Sequence, residues 1–318
     1  MSSTRRRLLA GITGAALTAL VWTGSTTASA QGSPVKHMMG IRGGGNPNGN
    51  PNKPGGGGGG AGGSAGKNLS YHGGPIEQAT VVYLDFWGSA WGGTTGSAQT
   101  YLQGFYGNVG GSSWINTDTQ YCQGVASGTV NCGSSGTHIT NPTSQLKGTW
   151  NDAGNPPANR QIQDSDVANE AVNAMNHFGG YNGNATYIVL TPSGDSESGF
   201  AANGGSWCAW HSDTASGGNT LAYAYVPYQP DAAASCGENF VNSGSAGYYD
   251  GFSIVGGHEY EEAQTDPHLN AWYDRQSSED ADKCAWNSLS GDVTLGGTQY
   301  AVQPLWDNLK SGCVISGP

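Results

Sequence analysis

The chain has 318 residues, 36% of them hydrophobic, which is enough for one enzyme-sized core, although 54 glycines reduce the portion able to fold. Seven of its 12 basic residues precede position 75 and all 23 acids follow it, so the body carries five basic residues against 23 acids, a net charge of −18. Such a surface repels nucleic acid and anionic membrane and suits the binding of cations or an acidic or salty milieu.

In chain order, residues 1–30 read as an export signal. Arg5, Arg6 and Arg7 precede an apolar run from Leu8 to Trp22, and Ala28-Ser29-Ala30 forms a small-residue cleavage site. That run is too short for a bilayer span and nothing later approaches ~20 apolar residues. A secreted, extracellular protein without a membrane span is expected, with the Sec and twin-arginine routes both open. Residues 31–74 read as a disordered Gly/Asn/Pro-rich linker. GGGNPNGNPNKPGGGGGGAGGSAG has almost no side chain able to bury apolar surface and offset chain entropy. One globular domain is expected over 75–318.

Within that domain, ATVVYLDFWG (79–88) and ATYIVLTPSG (185–194) have the β-branched and aromatic density of buried strands, expected as neighbours in one sheet. TLAYAYVPY (220–228) alternates more clearly and reads as a third strand. Asp164-Ser165-Asp166 should cap a helix running to about Phe178, with Val167, Ala171, Val172, Met175 and Phe178 on its apolar stripe. Residues 94–106 read as another short helix, and 108–160 as mostly loops around a Cys122/Cys132 hairpin. These elements predict an α+β fold with a mixed sheet. All six cysteines lie in the body of an exported chain, so disulfides are expected, with sequential pairing favoured because each pair closes a moderate loop.

GGHEYEEAQTDP, residues 256–267, concentrates charge in a charge-poor chain. The propensity predicts a helix over Ser253–Thr265, ended by Pro267, which drives Asp266 out of the helical region. On a helical projection His258, Glu259 and Glu262 share one side with Ile254 and Val255, so that side should face the protein. Tyr260 should then point away, with Glu261 left for solvent. No lysine or arginine lies between Arg160 and Arg275, and a bound cation would supply the missing positive charge.

His258-Glu259-Tyr260-Glu261-Glu262 has the spacing of the zinc-protease helix HExxH, with a carboxylate in place of the second histidine. His258 and Glu262 are then zinc ligands at i and i+4, and Glu259 activates water as general base. Glu279 and Asp282, in SSEDADKC, are the candidates for the third ligand, and a Cys284–Cys313 disulfide would pin their loop; Asp266 is the alternative. Calcium is the structural alternative to zinc, since Asp266, Asp274, Glu279, Asp280 and Asp282 offer oxygen, but a histidine at the head of the motif favours zinc. His211, in CAWHSD, is a candidate fourth ligand or a donor to a developing oxyanion. His37 and His72 fall in the linker region, His138 in a loop and His177 at a helix end, and none of these is given a role.

SIVGGHEYEEAQTDPHLNAWYD (253–274), followed by SSEDADKC, resembles secreted bacterial and fungal zincin-like proteins marked by HExxEAxTDP. It is also distantly similar to the plant EXORDIUM, or phosphate-induced protein, family, which carries HE-x-x-E, N-A-W-Y and an E-I-G-D-x-C loop. SSWINTDTQY (112–121), CAWHS (208–212) and YAVQPLWDNLKSGC (300–313) extend the similarity, while SEDAD replaces the usual GEIGD. The resemblance implies a disulfide-braced zincin-like domain in which His258, Glu262 and Glu279 or Asp282 hold zinc. The expected function is a secreted zinc metallohydrolase, a peptidase acting as a monomer on protein or peptide. The alternative is a non-catalytic EXORDIUM-like binder of cell-wall polysaccharide, with a structural metal and aromatic residues that stack on sugar.

Overall fold

A computed structural model describes residues 35–44, 68–92, 96–159 and 161–317, and leaves the expected export signal and the glycine-rich stretch 45–67 outside the described residues. The described residues belong to one compact unit. Its frame is a six-stranded sheet: β1 (His37–Gly40), β2 (Val81–Trp87), β3 (Leu146–Asp152), β4 (Ala185–Leu190), β5 (Trp207–Ser216) and β6 (Asn219–Val226), in the spatial order β1-β5-β6-β4-β2-β3. The pairs β2/β3, β2/β4 and β4/β6 are parallel, and β5/β6 and β1/β5 antiparallel. ATYIVL of β4 is buried at every position, as a central parallel strand covered on both faces requires. The strands expected at 79–88 and 185–194 are indeed neighbours.

Two sequence expectations need correction here. The linker expected over 31–74 contains ordered backbone: His37–Gly40 is a sheet strand and Ser70–Tyr71 pairs with Trp272–Tyr273. VKHMMGI carries enough apolar surface to order: Met39 is fully buried and Met38 and Ile41 pack against the core. The ladder to β5, with His37 opposite His211 and Met39 opposite Ala209, satisfies its backbone. Residues 108–160 are also less loop-like than expected, because they contain β3, an edge strand with alternating exposure whose lysine, glycine and asparagine dilute the strand signal.

Three helices flank the sheet: α1 (Gly96–Asn108), α2 (Asp164–His177) and α3 (Asp250–Thr265). Helix α2 buries Val167, Ala171 and Met175 as its stripe predicts, and the Asp166 carboxylate accepts the Gln163 N–H at 2.8 Å to fix its first turn. Helix α3 is central, with every one of its 16 residues buried. Successive residues of β5 point to opposite faces. His211 meets α3, whereas the Trp210 indole N–H turns to Glu197 on the far face at 3.3 Å. Behind α3 lie α1, the turn Ile115–Gln120 and the strand Thr298–Val302. Cysteines pair sequentially, as expected: Cys122–Cys132, Cys208–Cys236 and Cys284–Cys313.

Three buried acids outside the histidine cluster make stability depend on pH. Burial, reinforced by the neighbouring Glu170 carboxyl, lifts Asp85 to about 9. Burial also lifts Glu170 to about 7 and Glu77 to about 8, the latter despite a 2.7 Å hydrogen bond from Thr186. The folded chain therefore keeps protons that the unfolded chain has already lost, and stability declines as pH rises from about 4, the ordinary carboxyl range, to about 9. Thermal melts between about pH 5 and pH 9 should show Tm falling, at roughly 2–4 °C per kcal/mol lost, and Asp85→Asn should flatten the slope. A Tm that holds or rises across that window would contradict the assignment.

Candidate metal centre

The pair of glycines before the motif lets α3 sit deep. A Cβ at Gly257 would meet the Trp114 ring at 2.9 Å and Phe105 at 3.3 Å, and one at Gly256 would meet the Tyr106 hydroxyl at 2.7 Å. The same hydroxyl donates to the Gly256 carbonyl at 2.9 Å. The next turn is thereby held between α1 and β5. His258 Nδ1–H donates to Gln303 Oε1 at 3.1 Å, while the Gln303 amide donates to the Ala281 and Pro304 carbonyls and so fixes which end faces the imidazole. That bond orients the ring and directs Nε2 inward, the usual device for presenting a histidine to a metal. Nε2 lies 3.1 Å from Glu262 Oε1 and 3.7 Å from Asp282 Oδ1. The Asp282 N–H donates to Glu262 Oε1 at 2.9 Å, which locks the loop onto the helix.

Glu259 points into the same cluster. Its Oε1 accepts the Met39 N–H at 3.2 Å and its Oε2 accepts His211 Nδ1–H at 3.2 Å. His211 Nδ1 is also 3.4 Å from Glu262 Oε2, and its Nε2 is 3.6 Å from Glu279 Oε2. The strand β1 brings a third imidazole: His37 Nδ1 lies 2.5 Å from Glu279 Oε2 and 3.5 Å from Asp282 Oδ2. Three donor sets have their ligand atoms within 4.8 Å of one another: His258/Glu262/Asp282, His211/Glu259/Glu262 and His37/Glu262/Glu279. Asp266, the alternative third ligand, instead uses Oδ1 to accept the Asn270 and Ala271 N–H groups at 2.5 and 2.6 Å, a turn-closing role beside Glu279.

The electrostatics describe a strongly negative, dry pocket. For His211 and His258 burial acts to lower the pKa, but the facing Glu259 and Glu262 outweigh it and lift both to about 10. Glu262 is held well below the ordinary range, burial being overcome by those two imidazoles. Burial and the Glu262 charge push Glu279 and Asp282 well above it. His37 falls to about 4 through burial, with Glu262 opposing and the other two histidines reinforcing the drop. Several ligand-type atoms, His258 Nε2, Glu262 Oε2 and both oxygens of Glu279 among them, are buried with no hydrogen-bond partner of acceptable geometry. An N/O donor set of this kind is suited to zinc more than to calcium.

The residues singled out from sequence, His258, Glu259, Glu262, Glu279, Asp282 and His211, all meet here. Two expectations about α3 fail. Tyr260 is fully buried and donates to Gln145 Oε1 at 2.7 Å. Glu261 is not at the solvent face but buried against Asp118 and Asp280, where burial lifts it to about 8. Both errors follow from treating α3 as a surface helix with one inner side, when it is packed all round. His37 and Gln303 were missed. Val35, Met38, Met39 and Ile41 around His37 were the signal for the first, whereas nothing local marks Gln303. Compared with family profiles, curated proteins and solved structures, the chain matches none of them.

The tight seating of α3 is directly testable. Gly257→Ala gains about 1 kcal/mol of helix propensity but overpacks the Trp114/Phe105 contact, so denaturant unfolding should show a net loss of about 1–2 kcal/mol. A more stable variant would mean that α3 does not need this close approach.

Proposed function

We propose that the protein is a secreted zinc-dependent hydrolase of the peptidase kind, with His258, Glu262 and Asp282 holding the ion and Glu259 as general base. The observation that carries this is the convergence of His258 Nε2, Glu262 and Asp282 on one point with Glu259 one residue along the same helix. Bound zinc would supply Lewis acidity to a substrate carbonyl and to water. Glu259 accepts one hydrogen bond on each oxygen and keeps further lone pairs for the water whose proton it takes. His211, by donating Nδ1–H to Glu259, orients that base. Gln303 holds the His258 ring from behind. Three disulfides suit an oxidising compartment, and no described helix is long and apolar enough to cross a membrane.

A structural, non-catalytic metal site is the second reading, and the burial of the donors favours it. His258, Glu259, Glu262 and His211 are all fully inaccessible, and only the His37 side chain, at 13% exposure, and the Asp282 side chain, at 5%, reach the surface. The sugar-stacking form of that alternative has less support, because none of the nine described tryptophans is exposed and six of them, Trp87, Trp114, Trp207, Trp210, Trp272 and Trp306, are core residues.

Glu259→Gln separates the two. The variant should keep its zinc and lose hydrolysis of an unfolded protein substrate by about 10²–10⁴-fold, the usual worth of a general base. Zinc retained by the natural chain with no hydrolysis of any peptide pool would favour the structural site, and absence of zinc after purification without chelator would sink both.

A further inference from the structure

The cluster has more donors than one zinc can use. A tetrahedral zinc takes four ligands, whereas His37, His211, His258, Glu259, Glu262, Glu279 and Asp282 all point inward. Their arrangement is not a single shell but two halves that share carboxylates. On one side stands His258, whose Nε2 faces Glu262 Oε1 at 3.1 Å and Asp282 Oδ1 at 3.7 Å. On the other stands His37, whose Nδ1 faces Glu279 Oε2 at 2.5 Å and the second oxygen of Asp282, Oδ2, at 3.5 Å. Glu262 is split in the same way, since its Oε2 turns from His258 toward His211 at 3.4 Å. Glu262 is also the one residue common to all three donor sets.

Charge points the same way. Glu259, Glu262, Glu279 and Asp282 bring four carboxylates into one dry volume, and a single divalent ion offsets only half of them. The basic residues adjacent in sequence are committed elsewhere. Lys36, next to His37, pairs with Asp164 at 2.6 Å and Glu197 at 3.3 Å, and Lys283, next to Asp282, pairs with Asp274 at 2.8 Å. Glu279, with 1% of its side chain exposed, has no satisfactory hydrogen bond at either oxygen, and Glu262 Oε2 and His211 Nε2 are equally buried and unpaired. The His37 ring is held from behind by a hydrogen bond to the Ser277 carbonyl, the kind of support that orients a metal-binding imidazole.

We propose that this is a two-metal centre, in which a second divalent zinc is held by His37 and Glu279, with Glu262 and Asp282 bridging it to the ion at His258. The proposal rests on zinc occupying the His258 half. The ligand of the second half comes from β1, in the segment that composition alone marks as linker, so the N-terminal strand is part of the centre. Pairs of metal ions linked by carboxylates hold their members about 3.5–4 Å apart and clamp both partners of a displacement.

The test is metal counting on the intact mature chain, loaded with zinc, desalted and measured by mass spectrometry of the metal, with zinc K-edge absorption as the second readout. About two zinc per chain and a zinc–zinc scattering path near ~3.5 Å are expected. His37→Ala should fall to about one zinc and lose that path, while its zinc stays bound through the His258 half. Glu279→Gln, which keeps side-chain volume, repeats the test should the alanine variant fold poorly. About one zinc in the natural chain, unchanged by either substitution, overturns the second site and leaves the hydrolase proposal standing. No zinc at all overturns both.

Discussion

The structure is organised around a cost: four carboxylates and three imidazoles are buried together with, among the described residues, no lysine or arginine paired to them. An ion taken from water into a protein interior costs several kcal/mol even after relaxation. The imidazoles of His211 and His258 hold protons tenaciously because the field of Glu259 and Glu262 is so negative. Metal binding there would exchange the protons for ions of higher charge.

Every element near the cluster serves to keep it in place. Helix α3 is seated by its glycine pair against α1 and the Trp114 ring, and it cannot shift without moving Phe105 or Tyr106. Strand β5 supplies His211 from the sheet, and Cys208–Cys236 ties its start to the chain ahead of α3. The acidic loop is held at both ends, by the Asp266 and Asp274 turns before it and by Cys284–Cys313 after it. Strand β1 is fastened by its ladder to β5, by the Ser212 hydroxyl donating to the Val35 carbonyl, and by the Trp286 indole donating to Gly40 at 2.7 Å. Donors from four separate parts of the chain are thus fixed by contacts outside the cluster itself, as a preorganised ligand set requires.

What could be read from sequence was what is local. HEYEE places His258, Glu259 and Glu262 together through helical spacing, the strands ATVVYLDFWG and ATYIVL declare themselves by composition, and the cysteines pair as neighbours in sequence. What could not be read is long-range. His37 and Gln303 lie 221 and 45 residues from His258, and only the register of β1 on β5 and the packing of the C-terminal strands bring them in. Tyr260 and Glu261 were misplaced because a periodic pattern cannot distinguish a helix with one buried side from a helix buried on all sides; here the covering layer comes from Ile115–Gln120 and Thr298–Val302, distant in sequence. Glu279 and Asp282, though only three residues apart, differ in reach: Glu279 meets His37 and His211, whereas Asp282 turns one oxygen to His37 and the other to His258, a difference visible only once the histidines are in place.

Whether the buried negative cluster is a metal centre decides the rest of the account, and crystals of the intact protein grown with zinc would address it most directly. Anomalous difference maps at the zinc edge should show a peak enclosed by His258 Nε2, Glu262 and Asp282, with ligand distances of about 2.0–2.2 Å. Maps with no peak there, and His258 still paired with Glu262 through a proton, would contradict it.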